Sequence, residues 1–306
     1  MVDAVFGIER MRKARDQSRA FFVSLERSSG AAIWEARMGL NTDTAAKLRK
    51  LAADESLSDT ALLNRSLMLS VKWITQLWVN TLVNESVAIR AGVFEGMKYV
   101  VNAAEGALLP RLVGTYEREL APHLRAFAEE GLDHVVDIGC AEGYYAVGLA
   151  RLMPTTTINA FDIDETARRR CGILARANDV ADRVLIGEAF HGEDFERFRG
   201  SKVLVFIDAE GFEDDILRPD LYPALTGFNL IVETHPLMRP GVTERLIERF
   251  SPTHDIVQID QGIEKADMPD VLAKSSHLEM VLATWEWRAR PTPWLAMRPK
   301  SRASGA

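Results

Sequence analysis

The stretch that most constrains this chain is His134–Ala150, reading HVVDIGCAEGYYAVGLA. A short apolar run (Val135, Val136) ends in Asp137. Gly139 and Gly143 follow, and then Tyr145, Val147, Leu149 and Ala150 recur at helical spacing. Strand, glycine turn and helix in that order open a nucleotide-binding α/β domain. Glycine is needed because the chain must turn tightly and let a ligand reach backbone N–H groups that a Cβ would shield. A dinucleotide site would read G-x-G-x-x-G, with the pyrophosphate over the helix N-terminus. Here the turn is Gly139-Cys140-Ala141-Glu142-Gly143, behind Asp137. Two carboxylates at such a turn repel a pyrophosphate and suit a ligand that carries an ammonium group.

Downstream the chain alternates strands and helices. Thr157 to Phe161 reads as a strand ending in Asp162, where a carboxylate can accept from both hydroxyls of a ribose. Asp164 then caps a helix from Glu165 to Asn178. Arg183 to Gly187 is a third strand with Glu188-Ala189-Phe190 at its end, and His191 opens a loop toward solvent. The fourth strand, Lys202 to Ile207, ends in Asp208-Ala209-Glu210-Gly211-Phe212-Glu213, and the fifth, Leu230 to Val232, ends in Glu233-Thr234-His235. A helix at Thr243 to Phe250, a strand at Asp255 to Ile259 and a helix at Asp267 to His277 come next. Glu279 to Trp287 and Trp294 to Met297 then alternate as strands. Two strands joined without a helix are antiparallel neighbours, so the sheet is expected to end in a hairpin.

The turn resembles motif I of the class I S-adenosylmethionine (SAM) dependent methyltransferases, D-x-G-x-G-x-G, with Ala141 in place of the middle glycine. Val203–Leu217, reading VLVFIDAEGFEDDIL, carries a D-x-E-G-x-E signature, and Leu230–His235 reads LIVETH. With LVGTYEREL and GVFEGMKY upstream, these segments make the chain similar to the FkbM family of that class from Gly92 to Met297. The resemblance implies a Rossmann-like α/β sheet of seven mostly parallel strands with a C-terminal antiparallel hairpin. It also implies methyl transfer from SAM to a hydroxyl of a sugar or natural product.

Site roles follow from that reading. Asp137, Gly139 and Gly143 would shape the methionine end of SAM. Asp162 would hold the ribose, Glu188 and Ala189 would border the adenine, and Cys140 and Ile163 are further candidate cofactor contacts. Tyr116 and Glu117 would add contacts from a helix packed across the turn. Asp208 would lie beside sulfonium and acceptor, with His235 as general base, its ordinary pKa being near neutrality, and Glu210 close by. Asp208, Glu233 and His235 could instead hold a divalent metal, Mg²⁺ or Mn²⁺, that acidifies the acceptor hydroxyl. Glu210 and Glu213 have a plainer alternative, hydrogen bonding to the backbone of their own loop.

Residues 1–91 read as a helical region, for oligomerisation or as a substrate lid, ahead of a methyltransferase domain at 92–300 and a disordered tail at 301–306. Asp3 to Arg27 and Asp43 to Ala53 have helical patterns, the second capped by Thr42 or Asp43. Ser58 to Ser86 is the most apolar stretch, with Leu63, Leu67, Val71, Ile74, Trp78 and Leu82 on one face. Asn64, Arg65, Lys72, Gln76 and Asn80 interrupt it, so it is expected at a core or between subunits and not in a membrane. Gly92 to Tyr99 suggests a short strand, and Thr115 suggests the cap of a helix that runs to Glu130 and stops at Gly131.

Composition narrows the partners. Of 306 residues 47% are hydrophobic and 26% charged, which suits a globular chain with a substantial core. The net charge of −7, with no basic block beyond Arg168–Arg170, weighs against nucleic acid. Two cysteines make no disulfide framework, and the N-terminus shows no secretory apolar segment, so a cytoplasmic setting is expected. A small-molecule or glycan acceptor is the expected partner. An NAD-dependent oxidoreductase and a non-catalytic interaction protein on the same fold are the competing readings.

Overall fold

A computed structural model describes residues 31–300 apart from 102, 104–106, 263–268, 274, 289 and 291. The helix expected at Asp3 to Arg27 and the tail at 301–306 lie outside the described residues. The chain divides into two compact units, one of residues 1–86 with 274–283, the other of 87–273 with 284–306.

The first unit is helical. Ala31–Ala52 forms α1 as one helix, so Thr42 and Asp43, expected as caps, sit in its middle. Asp59–Glu85 forms α2, with the Ser58 side chain accepting from the N–H of Ala61 and the Ser86 N–H closing on Leu82. Its buried residues are Thr75, Val79 and Leu82, whereas Leu63 and Leu67 of the expected apolar face are exposed. Among the described residues, no helix is long and apolar enough to cross a membrane.

The second unit is built on a seven-stranded sheet: β1 His134–Ile138, β2 Thr157–Phe161, β3 Val184–Gly187, β4 Val203–Ile207, β5 Asn229–Glu233, β6 His254–Ile259 and β7 Trp294–Pro299. The strand order is β3-β2-β1-β4-β5-β7-β6. β1 to β5 run parallel, and β7 is antiparallel to both β5 and β6. The expected mixed sheet with an antiparallel C-terminal closure is present. β1, β4 and β5 are buried along nearly their whole length, which is why VLVFI shows no polar alternation. One core layer packs Val205, Ile207 and Val232 against Phe195, Phe228, Leu246 and Phe250.

Several local expectations fail for identifiable reasons. In place of the strand expected at Glu279 to Trp287 there is a helix at His277–Ala283 followed by irregular chain, and the closing pair is β6 with β7. The missed signal is a capping box: the Ser276 N–H and hydroxyl donate to Glu279 Oε2 at 2.7 and 2.8 Å, and the Glu279 N–H returns to the Ser276 hydroxyl. The helix expected at Asp267 to His277 is, where described, a 3₁₀ turn at Asp270–Leu272. Gly92 to Tyr99 is a turn whose flanks meet in an Ala88–Lys98 bridge. Thr115 lies in the turn closing a short helix at Leu108–Val113, its N–H on the Pro110 carbonyl. The next helix is Ala121–Ala128, set by Pro122 in its first turn after a 3₁₀ turn at Arg118–Leu120.

Strand order reverses between β1 and β4, and there the two following loops press together. Gly139 has φ +85°, and a Cβ on it would sit 1.9 Å from the carbonyl oxygen of Asp208. The Asp208 N–H donates to Ile138, and the N–H groups of Gly139 and Cys140 both donate to Phe161. Gly131 makes a control, since its φ is +64° with open space around it. Alanine there should cost about 1 kcal/mol from the left-handed backbone alone. Alanine at Gly139 should cost about 2–5 kcal/mol, because the clash adds to the strain. Urea unfolding of both variants checks this.

Candidate functional site

A cavity of about 510 Å³ opens at the carboxyl ends of β1 to β4. Gly139 and Ala141 border it from the β1 loop, Asp162 and Ile163 from β2, and Glu188, Ala189, Phe190 and His191 from β3. Asp208, Ala209, Glu210 and Phe212 border it from β4, and Ile138, Phe161 and Ile216 complete the wall. Among the described residues the lining holds four carboxylates and neither lysine nor arginine. Arg168 stands behind it, its guanidinium donating to the carbonyls of Asp162 and Ile163 and lying 3.5 Å from Glu188.

The sequence-expected residues divide into two groups. Gly139, Asp162, Ile163, Glu188, Ala189, Asp208 and Glu210 border this cavity, while Tyr116, Glu117, Asp137, Cys140 and Gly143 are not in its lining. The Asp162 carboxylate ties the wall together, accepting from Ala141 N–H at 2.9 Å and Asp164 N–H at 2.8 Å. Asp137 is buried below Gly139. Burial, with the charges of Asp208 and Asp162, holds its carboxyl well above the usual range, against a hydrogen bond from Ala146 N–H. Its Oδ2 has no hydrogen-bond partner. The Cys140 thiol is pushed up by its hydrogen bond with Cys171 and by burial, so it is an inert, buried thiol behind the turn.

Glu142 does not face the ligand side as the turn sequence suggested. It is 1% exposed and paired with Arg111 and the Tyr99 hydroxyl, and the Arg111 guanidinium lies 4.3 Å over the Tyr116 ring. Tyr116 and Glu117 belong to this buried layer. Glu117 takes hydrogen bonds from Tyr145 and Arg288. Arg288 also binds Glu233 and reaches Glu286 at 3.0 Å, so one cation holds three acids. No motif announced Arg288, which lies in the stretch misread as strand and loop.

At the other edge of the cavity the signature DAEGFE acquires a function. Glu213, fully buried, accepts through Oε1 from the N–H groups of Ala209 and Gly211 at 3.1 Å each, while His235 Nδ1 stands 2.9 Å away. Glu213 therefore holds its own loop, as the plainer reading allowed, and orients the imidazole as well. Glu210 is more than half exposed, with φ +50°. His235 Nε2 faces Asp208 Oδ1 at 3.4 Å, Glu210 Oε2 at 3.8 Å and Glu233 Oε2 at 3.8 Å. Burial lowers the His235 pKa, but the Glu213 hydrogen bond and the charges of Asp208, Glu213 and Glu210 outweigh it and leave a net rise. For Glu213, burial raises the pKa, and the His235 and backbone hydrogen bonds bring it below the usual value. One ligand atom from each of Asp208, Glu233 and His235 can be chosen so that all lie within 4.8 Å of one another.

No family model matches the chain, and no curated protein does. Similar solved structures include an rRNA methylase from Streptococcus thermophilus, 15% identical, with TM-score 0.40 over 61% of this chain and 98% of that one. The O-methyltransferase TomG from Streptomyces achromogenes, in complex with SAM, is 14% identical, with TM-score 0.40 over 59% of this chain and 81% of that one. An O-methyltransferase from Bacillus cereus, in complex with SAH, is 14% identical, with TM-score 0.38 over 83% of this chain and 97% of that one. Likeness at this level decides nothing about reaction or substrate.

Two outcomes test the buried layer. Arg111→Met should destabilise by about 3–5 kcal/mol, because the Glu142 charge loses its guanidinium, and adding Glu142→Gln should recover part of that. Burial pushes the Glu286 carboxyl up to about 8, with Glu119 adding to the rise and Arg111 opposing it. The unfolded chain releases that proton first, so the contribution of Glu286 to stability is full in acid and falls as pH rises toward 8. The slope should be at most roughly 1.4 kcal/mol per pH unit. Thermal unfolding from pH 5 to 8.5 should show this decline in the wild type and a flatter profile in Glu286→Gln.

Proposed function

We propose that this chain is a SAM-dependent methyltransferase that methylates a hydroxyl of a small molecule, a sugar or a natural product. The observation that carries the reading is the sign of the cavity: apolar walls, four carboxylates and, among the described residues, no lysine or arginine in the lining. SAM brings an ammonium and a sulfonium, both cations, whereas the pyrophosphate of NAD would meet only like charge. A partnerless, buried Asp137 Oδ2 beneath the turn fits an ammonium donor, and it argues against a scaffold that binds nothing. Asp137 and Gly139 would hold the methionine end and Asp162 the ribose. Ile163, Phe190 and the Glu188–Ala189 backbone would flank the adenine.

When bound there, SAM supplies a methyl group already activated on sulfur. The chain supplies position and proton management. Asp208, Glu210 and His235 gather where the acceptor would lie, and the hydroxyl's proton passes to that cluster as the new O–CH₃ bond forms. The FkbM-like assignment rests on residues 203–217 and 230–235. A net charge of −7 and the acid lining support a neutral or cationic acceptor over a nucleic acid. A divalent cation beside the acceptor oxygen accords with this reading without being required by it.

Calorimetric titration with S-adenosylhomocysteine should show one micromolar site. Asp162→Ala and Asp137→Asn should each weaken it by at least roughly tenfold, about 1.4 kcal/mol. Asp137→Asn should also raise the melting temperature of the free protein at pH 8, since unfolding then no longer frees a carboxyl that burial keeps from ionising. Absence of binding in the wild type, or equal binding in both variants, would refute the assignment.

A further inference from the structure

The ring formed by Asp208, Glu233 and His235 has the construction of a cation site. His235 is 94% buried by complement of its 6% exposure, and its Nδ1 is fixed on Glu213. Its Nε2 makes no hydrogen bond: the nearest carboxylate oxygens stand 3.4 to 3.8 Å away, beyond the roughly 2.7–3.2 Å of an N–H···O bond. Glu233 is 2% exposed and is held through Oε1 by Arg288 and, at 2.6 Å, by Thr292, which leaves Oε2 turned to the imidazole. Glu213 receives two backbone N–H groups on the oxygen that faces the histidine, so the ring plane cannot drift. Both buried ligands thus have their second atom anchored before any ion arrives, the arrangement that outer-shell partners give a metal site.

We propose that Asp208, Glu233 and His235 bind one divalent cation and that the site prefers Mn²⁺ to Mg²⁺. The imidazole nitrogen decides the preference. Mg²⁺ favours an all-oxygen, largely hydrated shell, whereas first-row transition ions accept nitrogen readily. Ligand atoms within 4.8 Å of one another can close on one ion at about 2.1–2.2 Å with small side-chain movement. With Nε2 engaged, His235 is a ligand and not the base. Glu210, exposed and outside the ligand set, is then the carboxylate that takes the acceptor's proton. This deepens the methyltransferase reading and rests on it only for the role of the ion, not for its binding.

The test uses the full chain, stripped with EDTA and desalted, and titrated with MnCl₂ while free Mn²⁺ is followed by electron paramagnetic resonance. One ion per chain should bind at micromolar concentration, with MgCl₂ at least tenfold weaker. Pulsed resonance of the bound Mn²⁺ should show coupling to an imidazole ¹⁴N. Asp208→Asn and His235→Gln should each weaken binding at least tenfold, and the ¹⁴N coupling should vanish in any ion that His235→Gln still holds. No binding at 1 mM Mn²⁺, or a bound ion without ¹⁴N coupling in the wild type, overturns the proposal even if a variant fails to fold. A parallel titration with S-adenosylhomocysteine separates the two readings. Cofactor binding without Mn²⁺ binding removes the ion site alone, and Mn²⁺ binding without cofactor binding removes the methyltransferase alone.

Discussion

The contact between Gly139 and the Asp208 carbonyl is the constraint on which the site depends. Strand order reverses between β1 and β4, the switch point at which a crevice opens above the touching starts of their loops. A crevice becomes a cavity only if its floor is narrow, and a residue without a Cβ at 139 lets the two chain ends touch. The N–H groups of Gly139 and Cys140 on Phe161, with that of Asp208 on Ile138, then fix three strand ends as one platform. Asp162 and Asp208 are set on either side of it by the parallel register and need no separate device.

Electrostatics divides the acids of this unit into two populations. Glu142, Glu117 and Glu233 are buried and tied to Arg111 or Arg288, where breaking a pair is costly. Asp162, Glu188, Asp208 and Glu210 border the cavity instead, with no lysine or arginine among its described lining residues. The first population fixes the shape of the walls, and the second sets the sign of what can enter. Glu213 belongs to neither, being a buried acid whose partners are an imidazole and its own loop.

Much of the platform was legible because period and punctuation agree there. The apolar runs, the glycines and the terminal acids of β1, β2, β4 and β5 each identify a strand end, and register does the rest. Glu142 was misjudged because spacing gives its place in the turn but not the rotation of its side chain toward Arg111, which comes from a distant segment. Residues 279–287 were misread because alternation over a short window is also satisfied by a helix, and the Ser276–Glu279 capping box was the stronger signal. Arg288 was invisible for a related reason: its partners Glu117 and Glu233 are far away in sequence and meet it only after the sheet closes.

The central claim is that a cavity lined by acids and apolar surface selects a cationic adenosyl ligand over an anionic dinucleotide. Equilibrium dialysis of the full chain against radiolabelled SAM and radiolabelled NAD, side by side at one ionic strength, tests it most directly. The account requires saturable SAM binding at micromolar concentration and none for NAD up to 1 mM. Retention of NAD, or of both ligands equally, would contradict it.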